Sequence, residues 1–314
     1  MMTHRFLLSL LLISAAACSE PAVETASEPE AAAPEAPADE MAANVAVPEV
    51  DPAEAALAAA VASDLRSADN KARDEFRNPA ETIAFFGVEP GDTVVEIWPG
   101  GGWYTEILAP YVTAGGGTYY AAHFHPDGPF GQSSLARFTE NFVGAPEVYG
   151  PIELTGLSAE NVDIAPAGSA DYVLTFRNVH NFQMGEWAPA AFAAFYEALK
   201  PGGVLGVVDH RLPEQADDAA EQRSGYVKVS TVRRLAEEAG FVFDDESEVN
   251  ANPNDDADHP FGVWTLRPSS RAADRNGEAP EGFDPEEYLA IGESDRMTLR
   301  FKKPEAEPTE ALLE

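Results

Sequence analysis

Two groups of residues in this 314-residue chain have the types and spacing for chemistry. The first is Glu96-Ile-Trp-Pro-Gly-Gly-Gly-Trp-Tyr104, where an acid closes an apolar run and three glycines follow. A turn of this kind lets the backbone approach a ligand closely and aims free N–H groups at it from the start of a helix. The second is a set of histidines at the ends of apolar runs: His123 with His125, then His180, then His210 directly after Asp209. An imidazole that titrates near neutral pH is suited to removing a proton from a hydroxyl. His180 stands in Phe176-Arg-Asn-Val-His-Asn-Phe182, and Asp209 or Glu186 is a candidate to orient its ring. His123, His125, His180, Asp209 and His210 also offer the ligand types of a zinc-like divalent site, without a compact signature such as HExxH. Arg177, Asn178 and Arg211 are placed to balance a carboxylate, Arg177 being equally suited to a structural ion pair. Trp98, Trp103, Tyr104 and Phe124 suit either stacking on a flat ligand or the wall of a crevice.

These residues need elements to hold them, and the hydrophobic pattern supplies a consistent set. Short apolar runs predict strands at Thr93–Ile97, Thr118–Ala122, Val148–Leu154, Asp171–Phe176, Val204–Val208, Phe241–Val249 and Met297–Phe301. Helical patterns lie between them. Pro189 opens one with Phe192, Phe195, Tyr196 and Leu199 on a face, and Ser230 is expected to cap another that Gly240 ends. Ahead of the first strand, Asp51-Pro52 begins an Ala-rich helix to about Ser67, and a further helix runs through Ile83 and Phe86. Strands alternating with helices imply a mostly parallel α/β sheet, in which the strand ends converge on one ligand crevice.

The order of parts, from the glycine turn through Asp171–Asn181 to Leu199-Lys-Pro-Gly-Gly-Val-Leu-Gly-Val-Val-Asp-His210, resembles the class I S-adenosylmethionine-dependent methyltransferases from about Asn70 to Pro304. The resemblance implies a Rossmann-like sheet of seven strands, mostly parallel with an antiparallel last strand and helices on both faces. It also implies a bound S-adenosylmethionine, with Glu96, Gly100 and Gly102 at the methionine part. Pro99, Tyr104, His123, Asp163 and Asn178 are the further cofactor candidates. Trp103, Arg177, His210 and Trp264 are the substrate candidates, and His180 with Asp209 takes the place of the general base in small-molecule O-methyltransferases. Two positions depart from the family pattern: Trp98 stands where the first glycine is usual, and His123 stands where an acid usually ends the second strand.

Composition narrows the partners. Twenty basic against 54 acidic residues give a net charge of −34, which repels phosphate backbones and excludes a nucleic-acid substrate held in a basic groove. One cysteine, Cys18, excludes an internal disulfide and a thiolate zinc cluster. It follows Arg5, an apolar run Phe6–Ile13 and small residues to Ala17, a pattern similar to bacterial lipoprotein signal peptides. Residues 1–17 are therefore expected to be the signal, with Cys18 lipidated and the chain exported to the outer membrane, facing the periplasm. Residues 18–51, rich in Ala, Pro and Glu, form an expected disordered tether. A methyltransferase-like domain follows over 52–304, with a polar insertion or lid at 250–295, and residues 305–314 form an acidic tail. S-adenosylmethionine is made in the cytoplasm, so two alternatives stand beside methyl transfer. One is an exported fold repurposed for divalent-metal binding or hydrolysis, and the other a non-catalytic envelope binding lipoprotein.

Overall fold

The computed structural model describes residues 51–124 and 129–305. The expected signal peptide, Cys18, the tether before Asp51, His125 and the tail from 306 lie outside the described residues. No helix among the described residues is long and apolar enough to cross a membrane.

The described chain runs α1 (Pro52–Ala62), α2 (Ala68–Lys71), α3 (Asp74–Arg77), α4 (Pro79–Phe86), β1 (Thr93–Ile97), α5 (Thr105–Ala114), β2 (Thr118–Phe124), α6 (Pro129–Phe138) and α7 (Pro146–Tyr149). It continues β3 (Ile152–Leu157), β4 (Ala170–Phe176), α8 (Val179–Met184), α9 (Ala188–Ala198), β5 (Leu199–His210), α10 (Val229–Glu238), β6 (Val242–Ser247), α11 (Pro285–Ile291) and β7 (Arg296–Lys302). The seven strands form one sheet in the order β3-β2-β1-β4-β5-β7-β6, with β7 antiparallel to both of its neighbours. Because β1 lies between β2 and β4, the order reverses there, and a crevice opens beyond the C-terminal ends of β1 and β4.

Burial explains why the central strands β1, β4 and β5 read as unbroken apolar runs. One core fills the face covered by α9 and α10, around Phe182, Phe192, Phe195 and Leu205. The other lies under α1, α4 and α5, around Ile83, Phe86, Ile107 and Tyr119. A strand covered on both sides has no solvent face to make polar, so its pattern loses the period-two alternation.

Several local expectations are corrected. The Ala-rich first helix ends at Ala62 rather than near Ser67. There the chain turns so that the buried Arg66 guanidinium can meet the Asp74 carboxylate through two bonds of 2.7 Å and donate to the Val61 carbonyl. Val148 and Tyr149 belong to α7, not to a strand, and Gly150 at φ +72° separates them from β3. The cap of α10 is Lys228 rather than Ser230, whose N–H and hydroxyl both go to Glu214. β2 and β5 are longer than their apolar runs, so His123, Asp209 and His210 are strand residues, and His210 pairs with Arg296.

Candidate active site

β1 ends at Ile97, and the glycine turn begins with strained backbone. Trp98 has φ +47° and Gly100 +59°. A non-glycine residue in this region costs of order 1–3 kcal/mol and persists only where its surroundings enforce it. Here the Trp98 N–H donates to the Ala122 carbonyl and its indole N–H to the Leu157 carbonyl, 2.9 Å each, while its ring packs against Phe124, Phe182 and Trp187. Gly102, at φ +82°, lies against Phe142, where a Cβ would come within 2.2 Å of the ring.

A cavity of about 250 Å³ opens over this turn. Glu96, Trp98, Pro99, Gly100, Tyr104 and Phe176 line one side. Tyr104 stacks on Phe176 with ring centres 3.5 Å apart. Glu96 is buried and accepts the Tyr119 and Thr105 hydroxyls on Oε2; no described residue bonds its Oε1. Burial outweighs the two hydroxyl donors and pushes the carboxyl up to about 7. A carboxylate with one free oxygen on a cavity is a fitting acceptor for an ammonium group, so the methionine end of the cofactor fits these residues.

The ribose side does not follow the resemblance. His123 is fully buried; its Nδ1 accepts the Phe124 N–H at 2.8 Å, which leaves Nε2–H to donate to the Gly100 carbonyl at 3.3 Å. Both ring nitrogens serve the chain itself, and burial lowers its basicity. His123 therefore braces the glycine turn instead of facing a ribose. Asp163 is exposed and lines a separate cavity with Glu197, away from Glu96.

The opposite wall comes from the end of β4. Asn178 donates to the Ile97 carbonyl at 2.8 Å and ties β4 to β1. Arg177, at φ +63°, lines the cavity, and its guanidinium makes no hydrogen bond or ion pair with a described residue. One turn on, His180 Nδ1 donates to Asp209 Oδ1 at 2.9 Å, and the same carboxylate accepts the N–H groups of His180 and His210. All three residues are buried. The Asp209 bond places the imidazole proton on Nδ1 and leaves Nε2 as an acceptor. The His210 ring centre is 5.1 Å from that of His180, and its Nδ1 bonds the Ser294 hydroxyl. Burial, aided by neighbouring cations, drives its pKa well below that of a free histidine. Trp264, in a 3₁₀ turn at Gly262–Thr265, presents its ring edge-on 6.3 Å from His180. The insertion at 250–295 is thus packed onto the site, and its Val263 shares a small core with Leu212 and Tyr226 from the segment between β5 and α10.

Of the expected metal ligands, His180, Asp209 and His210 come together, with candidate ligand atoms within 4.8 Å. His123 stays under the glycine turn. Glu186 is not bonded to His180, and Arg211 is spent on Asp295 and Glu248. Sequence reasoning passed over Asn70, Arg73 and Arg77, which line the cavity, and Glu293 and Arg296 behind them. Arg77 lies over the Trp103 ring at 4.8 Å, and that indole donates to the Asn70 carbonyl at 2.9 Å. The signal for them was the i, i+4 spacing of Arg73 and Arg77, a repulsive pair unless an anion sits beside it.

No protein-family model and no curated protein matches this sequence. Solved structures do. The [4+2]-cyclase SpnF is similar over 80% of this chain and 92% of its own, with a TM-score of 0.51 and 15% identity. A proposed sarcosine dimethylglycine methyltransferase from Galdieria sulphuraria is similar over 75% and 88%, with a TM-score of 0.50 and 16% identity. A SAM-dependent methyltransferase from Aquifex aeolicus is 18% identical over 57% of this chain and 87% of its own, with a TM-score of 0.46. At 15–16% identity the first two show the fold alone: the chain has the class I S-adenosylmethionine-dependent methyltransferase architecture, as its strand order shows independently. One of these structures is a cyclase, so architecture does not by itself choose the reaction.

Proposed function

We propose that this chain is an S-adenosylmethionine-dependent methyltransferase that acts on an oxygen of a small molecule, with His180 as general base. The observation that carries this reading is the buried His180–Asp209 pair at 2.9 Å, at the end of β4 beside the cavity that Glu96 and Gly100 line. Glu96 would hold the cofactor's ammonium group, and the Pro99–Gly102 turn would hold its methionine part. The cofactor supplies an electrophilic methyl group. Nε2 of His180 takes the proton from the attacking hydroxyl, and Asp209 stabilises the imidazolium through Nδ1–H. The remainder of the rate comes from holding donor and acceptor in line in the crevice that Trp98 and Phe124 line. Cys18 as a lipid anchor at the envelope belongs to the same reading.

Calorimetry with S-adenosylmethionine tests the first half. Saturable binding that Gly100→Val abolishes is expected, and no heat from the wild-type chain overturns the reading. His180→Ala should lower turnover on an identified acceptor by about 10²–10⁴-fold while sparing cofactor binding. Asp209→Asn should lower turnover as well, because the imidazole loses its orienting acceptor.

The grouping of His180, Asp209 and His210 supports a second reading, in which they hold a divalent metal. Stoichiometric zinc by elemental analysis without cofactor binding would establish it over the first.

A further inference from the structure

Three arginines, Arg73, Arg77 and Arg177, line the cavity, and Arg296 joins them through Glu293. The Glu293 carboxylate takes the Arg73 Nε at 2.8 Å and the Arg77 Nε at 2.9 Å, and lies 3.3 Å from Arg296. Arg77 is only 3% exposed, and its Nη2 has no hydrogen-bond partner. Arg177 has no partner among the described residues, although it reaches the same cavity. Arg296 bonds the Phe76 and Ser294 carbonyls and adds its charge from behind. Asp209 is already committed to His180, and Glu96 lines the same cavity from the end of β1.

Four guanidinium groups against the Glu293 and Asp209 carboxylates leave two positive charges, since Glu96, the third carboxylate here, is matched in the methyl-transfer reading by the cofactor's ammonium group. The cofactor's own carboxylate would neutralise one of them. Uncompensated buried charge costs several kcal/mol per ion, and the unused guanidinium N–H groups point to what removes that cost. Resting on the methyl-transfer reading above, we propose that Arg77 and Arg177, supported by Arg73 and Arg296, seat an anionic group of the acceptor molecule, a carboxylate or phosphate. The acceptor is then a small organic acid or phosphate ester whose hydroxyl faces His180. Arg177 and His180 leave the same end of β4, three residues apart, so a compact molecule spans both. Burial, with the neighbouring cations behind it, lowers Arg77 to about 9 and Arg177 to about 10, and an anion in the cavity would oppose the cations' share.

The test is calorimetric titration of the full chain with inorganic phosphate, with and without saturating S-adenosylmethionine. Arg177→Met is the informative variant, since it breaks no existing pair, and Arg234→Met, an exposed i, i+4 partner of Glu238, is the control. Saturable phosphate binding that persists with the cofactor present, weakens about tenfold or more in Arg177→Met and is unchanged in Arg234→Met is the expected result. Competition between phosphate and S-adenosylmethionine would give the seat to the cofactor's carboxylate and overturn the proposal. Absent binding, or binding indifferent to Arg177, would overturn it too. Arg177-dependent phosphate binding without any cofactor heat would sink the methyl-transfer reading and leave the anion seat standing.

Discussion

At the scale of single residues, the site is a matter of which polar atoms remain free after the fold has used the others. Glu96 spends one carboxylate oxygen on two hydroxyls and keeps the other. Burial holds its pKa near 7, so it is partly protonated at neutral pH, and a cationic ligand must displace that proton. Cofactor affinity should therefore fall by about tenfold per pH unit below 7, and Glu96→Gln should be weak at every pH with that slope removed. Calorimetry between pH 5.5 and 8 checks both. His123 shows the opposite case. Its position in the sequence suggested a ligand contact, yet both nitrogens are consumed by Gly100 and Phe124. Residue type at a strand end was legible in the sequence, but the direction in which each side chain points was not.

At the scale of elements, the turn between β1 and α5 positions most of what was foreseen. Its form follows from local rules: left-handed backbone at Gly100 and Gly102, and the first turn of α5 donating Thr105 to Glu96. Gly102→Ala should place a Cβ into the Phe142 ring from a strained φ, costing about 1–3 kcal/mol by overpacking alone. A thermal melt reads the loss, and an unchanged midpoint would refute the tightness of that contact. The elements also explain the corrected expectations. Ser230 and the end of α1 follow local propensity in sequence but obey tertiary partners, Glu214 and the Arg66–Asp74 pair, in the structure. Capping and helix-length signals are worth only about 0.5–2 kcal/mol, small enough for such contacts to override.

At the scale of the whole molecule, Glu293 joins the N-terminal helices to the start of β7. Its partners Arg73 and Arg77 precede it by more than 200 residues, and Arg296 starts β7. Burial acts to raise its pKa, but the arginines win and bring it from 4.5 down to about 2. A carboxylate depressed in the folded state contributes stability above its unfolded pKa and loses it as pH falls. Glu293 should thus contribute about 3 kcal/mol at neutral pH, lost between about pH 4.5 and 2. Glu293→Gln should lower the melting midpoint by about 10 °C at pH 7. The gap between the two proteins should narrow in acid.

The sequence by itself determined the architecture and the outline of the crevice. Strand pattern, glycine turn and helix stops are short-range signals, each set by residues within one element, and they also marked Glu96, His180 and Asp209. Only the tertiary structure decided which of these atoms face the cavity and that arginines from three distant segments meet there. Register pairs His210 with Arg296, and the sheet order brings the end of β4 beside β1. An electrostatic cluster of this kind depends on the distances between chain segments, and no local pattern encodes those distances. A molecule of net charge −34 thus keeps an unpaired positive centre at its crevice, and folding alone put it there.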